Sequence, residues 1–168
     1  MKKDDLMLGA ARDLMYTYTI GNRKDGSLQV QHPIRVEKRV AEIAPPQMKL
    51  TSELFQVALL HDIIEDTVIE ESELINRGFS LAVIDAVKLL TRKNGQPDKT
   101  YVRAICDEAR RGSFAGLLAG WVKLADALDN LHPVGLNEAG GMARDRYIPT
   151  IAKISAALGL VRPQDFVW

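Results

Sequence analysis

The chain has 168 residues, 46% of them hydrophobic, which is enough for one domain with a sizeable core and gives no compositional reason for a second. Twenty-two basic residues cancel twenty-two acidic ones, so neither a nucleic-acid footprint nor a polyacidic tail is indicated, and any anionic ligand must be held by local charges. A single cysteine, Cys106, excludes an internal disulfide and a cysteine-based zinc cluster and suits the cytoplasm; no apolar run spans a bilayer, and the Met1-Lys2-Lys3-Asp4-Asp5 start lacks a signal-peptide core, so a soluble, unprocessed protein is expected.

Met7, Ala10, Ala11, Leu14 and Tyr18 recur on one helical face, predicting a first amphipathic helix from Asp4 to about Tyr18. Gly21 to Ser27 is a turn-rich loop carrying adjacent cations, Arg23 and Lys24, whose default reading is solvated surface charge. His32 precedes Pro33, whose fixed φ suits the first position of a helix that continues through Ile34, Val36, Val40 and Ile43 to Pro45-Pro46.

The next helix starts with Thr51 and Ser52 as candidate caps and runs along Leu54, Val57 and Ala58 into Ala58-Leu59-Leu60-His61-Asp62-Ile63-Ile64-Glu65-Asp66-Thr67. On this helix, whose core face continues through His61 and Glu65, His61 and Asp62 sit about 100° apart and can converge on one cation, while Glu65 and Asp66 follow one turn later and can reach the same pocket without being forced into the coordination sphere. The plainer reading is a chance His-Asp dipeptide and a solvated helix end. Burying such charges unpaired is costly, however, so inward-facing ones need a partner or a metal.

Further helices are predicted over Glu71 to Arg77, stopped by Gly78; from a Ser80 cap through Leu90; from Asp98 or Thr100 through Ala109; and from a Ser113 cap through Leu131. In the last of these, Leu117, Leu118, Trp121, Ala125 and Leu128 form a buried stripe. Asp126 and Asn130, four residues apart, are either a solvated edge together with Asp129 or one ligand and one polar contact lining a cavity. A final helix runs from about Met142 to Gly159, with Pro149 kinking it or marking its first turn. No stretch shows period-two alternation, so the chain reads as all-α.

His32, His61, Asp62 and Asp126 together offer two imidazoles and two carboxylates from three helices, a set suited to Mn²⁺, Fe²⁺, Zn²⁺ or Mg²⁺. This H…HD…D order resembles the HD-domain superfamily of metal-dependent phosphohydrolases. Arg23-Lys24-Asp25-Gly26, His32-Pro33, the Ala58 to Thr67 run and Val122-Lys123-Leu124-Ala125-Asp126 are similar to the hydrolase domain of RelA/SpoT proteins and to small stand-alone alarmone hydrolases, over roughly residues 6 to 160.

The resemblance implies a single all-α HD-domain bundle over residues 1–168 that binds Mn²⁺ and removes the 3′-pyrophosphate of the guanine nucleotide alarmones ppGpp and pppGpp in the stringent response. It makes His32, His61, Asp62 and Asp126 the metal ligands, Glu65 and Asp66 the residues that orient or deprotonate water, and Arg23, Lys24 and Asn130 the nucleotide contacts. With no synthetase or regulatory domain following Trp168, a stand-alone hydrolase is expected. Gln29 and Val30 stand where the family often has a tyrosine, and Leu131-His132-Pro133-Val134 replaces its usual methionine-containing continuation. The alternatives are an HD-type nucleotidase acting on another nucleotide, a module that binds an alarmone without cleaving it, and a metal-free helical interaction protein.

Overall fold

The structure, a computed structural model, describes residues 3–23, 26–131 and 140–160. It is an all-α bundle, and among the described residues the only strand-like pairing is an isolated bridge between Asn22 and Leu28. The helices are α1 (Lys3–Tyr18), α2 (Gln31–Ile43), α3 (Pro46–Lys49), α4 (Ser52–Leu60), α5 (Ile63–Asp66), α6 (Glu71–Asn76), α7 (Leu81–Leu90), α8 (Asp98–Arg110), α9 (Phe114–Asn130) and α10 (Gly140–Ala157).

At the centre, α4 buries Leu54, Gln56, Val57, Ala58, Leu59 and Leu60. A helix apolar on nearly every side must be enclosed on every side, and α4 packs against α1, α2, α7 and α9. Full burial of Leu54 and Leu60 contributes roughly 1.5–3 kcal/mol each. The second long element of the core, α9, also contacts α2, α7, α8 and α10. Its approach to α8 depends on Gly116, where an added Cβ would stand 2.4 Å from the Glu108 carbonyl carbon.

Several local signals work as the sequence suggests. Ser80 and Ser113 accept hydrogen bonds from the Val83 and Gly116 amides, and Gly78 takes a left-handed φ of 81° beyond α6. Others differ. Thr51 holds the capping position of α4 but makes no capping bond, and the Ser52 hydroxyl instead accepts from Gln56 Nε2 at 2.8 Å. Pro33 is the third residue of α2 rather than the first, still within the turn whose amides have no intrahelical partner. Pro149 lies well inside α10, where it removes one helical hydrogen bond.

The main correction concerns the helix carrying His61 and Asp62, which is not continuous to Glu65. It ends at Leu60; His61 keeps helical angles as the C-cap, Asp62 moves to φ −102°, ψ 0°, and α5 begins at Ile63. The Asp66 amide still bonds the Asp62 carbonyl at 2.8 Å, so α5 is a short helical turn of its own that starts from the Asp62 break.

Candidate active site

Three elements that meet in the core each deliver a polar group to one place. His32 comes from the first turn of α2, His61 from the end of α4 and Asp126 from the penultimate turn of α9, and all three are buried. One donor atom from each lies within 4.8 Å of the others. His32 Nε2 is 3.1 Å from Asp126 Oδ1 and 3.3 Å from His61 Nε2. Asp62 reaches the same place from the break after α4, its Oδ2 3.0 Å from His61 Nε2 and 3.7 Å from His32 Nε2.

The outer ring nitrogens decide what the inner ones offer. His61 Nδ1 lies 2.8 Å from the Ala58 carbonyl, which can only accept, so Nδ1 carries a hydrogen. His32 Nδ1 lies 2.8 Å from Asp129 Oδ2, a carboxylate also gripped by Arg35, so it too is the donor. Both Nε2 atoms are thus left with lone pairs aimed at each other and at two carboxylates. Only a proton or a metal cation among them relieves that repulsion.

Without a metal, burial works against charge on His61, but Asp62, Asp126 and the Ala58 carbonyl outweigh it and push its pKa up to about 9. Two imidazole nitrogens and two carboxylate oxygens converging from three segments are also a donor set that a divalent ion accepts. The residues present therefore fit a metal.

Around this centre the charges are paired. Burial would raise Asp126, yet Lys123, whose Nζ is 2.8 Å from Asp126 Oδ2, and His32 hold it well below the usual carboxylate range. Lys123 in turn is disfavoured by burial but held well above its ordinary value by Asp126. Asp126 Oδ1 also accepts from Asn130 Nδ2 at 2.6 Å, and Asn130 Oδ1 accepts from Arg23 Nη2 at 3.0 Å. Asp62 is likewise lowered, its enclosure opposed by His61.

A cavity of about 130 Å³ opens over the centre, and its lining includes Arg23, Asn130, Glu65, Arg92, Arg146 and Tyr147. Glu65 is exposed and accepts the Arg92 amide at 2.7 Å. Asp66 is also exposed, with Gln29 Nε2 3.5 Å from its Oδ2; partial burial, then Asp62 and Glu65, raise its pKa. Lys24 lies outside the described residues, as does the 132–139 segment containing His132.

The HD domain family profile matches residues 30–131, more than half of the chain. The chain belongs to the HD-domain family. HD domains bind divalent metals, and membership makes this protein a metal-dependent phosphohydrolase. No curated protein sequence matches it closely enough to count as a relative. Among solved structures, this HD domain is similar to a metazoan ortholog of SpoT described as hydrolyzing ppGpp and acting in starvation responses. The TM-score is 0.66 at 23% identity, covering 97% of this chain and 89% of that one, a likeness of fold.

Sequence reasoning missed four residues here. Asp129 was open to reading as a solvated edge but is buried between His32 and Arg35; the signal available was Arg35 one helical turn beyond His32, which carries meaning only once α2 is known to pack on α9. Arg92 and Arg146 had no local signal, yet both reach the cavity and share Asp98 as an ionic partner.

Proposed function

We propose that this HD-domain enzyme hydrolyses the 3′-pyrophosphate of guanosine 3′,5′-bis(diphosphate) and its pentaphosphate relative, releasing pyrophosphate and GDP or GTP. His32, His61, Asp62 and Asp126 would hold the ion, with Mn²⁺ the preferred metal and the cytoplasm the place of action. The observation that carries the reading is the cavity itself, in which the imidazole–carboxylate centre lies beside Arg23, Arg92 and Arg146. A substrate with phosphate groups on both sides of a ribose needs cationic contacts beyond the reacting one, and arginine's planar fork suits phosphate oxygens. The solved relative is described as hydrolyzing ppGpp, which supports the same substrate class.

When bound, a divalent ion lowers the pKa of a coordinated water and neutralises charge on phosphoryl oxygens. The remaining work belongs to the chain. Asp66, whose raised pKa brings it nearer neutrality, would accept the proton of the attacking water, with Glu65 orienting that water from the cavity wall. Water adds to the phosphorus attached to the 3′ oxygen; that P–O bond breaks, and the 3′ oxygen leaves with the electron pair and takes up a proton. Arg23, fixed by Asn130, would hold a phosphate, with Lys24 of the same loop as a second contact.

The test is a panel of ppGpp, nucleoside monophosphates and other phosphorylated nucleotides with Mn²⁺-loaded protein. Pyrophosphate release from ppGpp with little turnover of monophosphates is expected. Preferential release of phosphate from a monophosphate would establish the nucleotidase alternative, and tight ppGpp binding without cleavage would establish a sensing module.

A further inference from the structure

Asp129 and Arg35 take no part in the chemistry above, yet Asp129 is buried outside the cavity lining and bonded at both of its oxygens. Its side chain is 4% exposed. Oδ2 accepts from His32 Nδ1 at 2.8 Å, and Arg35 closes on the opposite edge, with Nε 2.9 Å from Oδ1 and 3.1 Å from Oδ2 and Nη2 3.0 Å from Oδ2. The two residues arrive from different helices, Arg35 one turn along α2 from His32 and Asp129 one turn along α9 from Asp126.

We infer that Asp129, held by Arg35, is a positioning residue that fixes the tautomer and ring orientation of His32 and thereby prepares its Nε2 for the metal. Three observations combine. First, Arg35 always carries its protons, so a carboxylate bonded to it by three contacts is an acceptor with no hydrogen to offer, and the hydrogen between Asp129 and His32 must sit on Nδ1. The other tautomer would set a lone pair against a buried carboxylate and turn an N–H toward His61.

Second, an imidazole bonded only at Nε2 can swing about its Cβ–Cγ bond, whereas one held at both ends of the ring cannot. His61 is held at its outer nitrogen by the Ala58 carbonyl of its own helix, a contact that comes with the helix backbone. His32 has no such carbonyl contact at Nδ1, and a partner from α9 takes its place. Third, Asp126 and Asp129 are three residues apart on α9, so the helix that supplies one oxygen to the centre also orients a nitrogen beside it. Movement of α9 relative to α2 would disturb both together.

The inference rests on His32 being a ligand, so His32→Ala is measured beside the informative variants. These are Asp129→Asn, which keeps the shape and one acceptor oxygen but loses the charge, and Arg35→Met, whose side chain is partly exposed and removes only the outer grip. Mn²⁺ affinity is read by titration calorimetry, and the His32 tautomer by nitrogen-15 NMR of the metal-free protein. Loss of such an outer partner weakens metal binding by about 10- to 100-fold, and that loss is expected for Asp129→Asn, together with appearance of the second His32 tautomer. Arg35→Met should weaken binding in the same direction and by less.

A purely structural role would lower the melting temperature without changing the tautomer. Wild-type affinity and an unchanged Nδ1–H tautomer in Asp129→Asn would overturn the inference while leaving His32 a ligand, provided His32→Ala loses metal. Full metal retention in His32→Ala would overturn both. If Asp129→Asn does not fold, Arg35→Met decides: unchanged affinity and tautomer there overturn the inference.

Discussion

Asp126 and Asp62 face the same pair of histidine nitrogens, and they are held in opposite ways. Asp126 sits in an unbroken stretch of α9, is 7% exposed, and bonds Lys123 through one oxygen and Asn130 through the other. Asp62 occupies the break between α4 and α5, keeps 41% of its side chain open, and contacts the two histidines through one oxygen. The buried aspartate forms a fixed wall whose charge is balanced before any ligand arrives. Both line the cavity, and Asp62 is the one whose side chain stays open to it.

The sharpest way to break this contrast is to remove each carboxylate in turn. Asp126→Ala leaves Lys123 buried without its anion, and removing one partner of a buried pair costs roughly 3–5 kcal/mol. Denaturant unfolding of the metal-free protein should show that loss, and elemental analysis should show no bound metal. Asp62→Ala should also lose the metal and removes the main partner of the buried His61 proton, but His61 can shed that proton where Lys123 must keep its charge, so metal-free stability should fall by less than in Asp126→Ala. Equal destabilisation by the two variants would remove the distinction between the closed and the open carboxylate.

A smaller effect separates chemistry from metal binding. Asp66→Asn keeps side-chain shape but loses the proposed base, so under the proposed reaction single-turnover pyrophosphate release from ppGpp should fall by about 10² with metal content unchanged. Because the Asp66 pKa is raised, the wild-type rate should climb with pH as that carboxyl deprotonates, and this limb should vanish in the variant. Arg23→Ala should raise KM about tenfold and change kcat less, as expected for a contact made equally in the bound and transition states; a fall confined to kcat would make Arg23 a transition-state group.

The smallest effect concerns protons. In the metal-free protein the His61 pKa lies near 9, above the ordinary 6.5. The stability contributed by its charge is fully present below 6.5 and lost as pH rises through 9. Metal must displace that proton, so Mn²⁺ binding near pH 7.5 should release about one proton from this site. Calorimetry in buffers of different ionisation enthalpy measures it, and no buffer dependence would count against His61 as a ligand.

The helical pattern, the serine caps and the glycine stops were legible because each is local, set by apolar spacing or by one side chain beside one amide. The four residues singled out as a ligand set also meet in space, although their meeting depends on α2, α4 and α9 packing together. The break at His61-Asp62 was hidden, since Leu60-His61-Asp62-Ile63 contains neither glycine nor proline and reads as continuous helix. Asp129 was hidden for a different reason. Its neighbours along α9 resemble a solvated edge, and only the approach of His32 and Arg35 from α2 makes it buried and bonded. The same holds for Arg92 and Arg146, which join the cavity from segments with no marking of their own.

The central claim is that these donors form one metal centre, and anomalous diffraction at the manganese edge from crystals grown with Mn²⁺ tests it most directly. The account predicts a peak bonded to His32 Nε2, His61 Nε2, Asp126 Oδ1 and Asp62 Oδ2. A peak placed elsewhere, or none at that centre in crystals of protein that cleaves ppGpp, would contradict it.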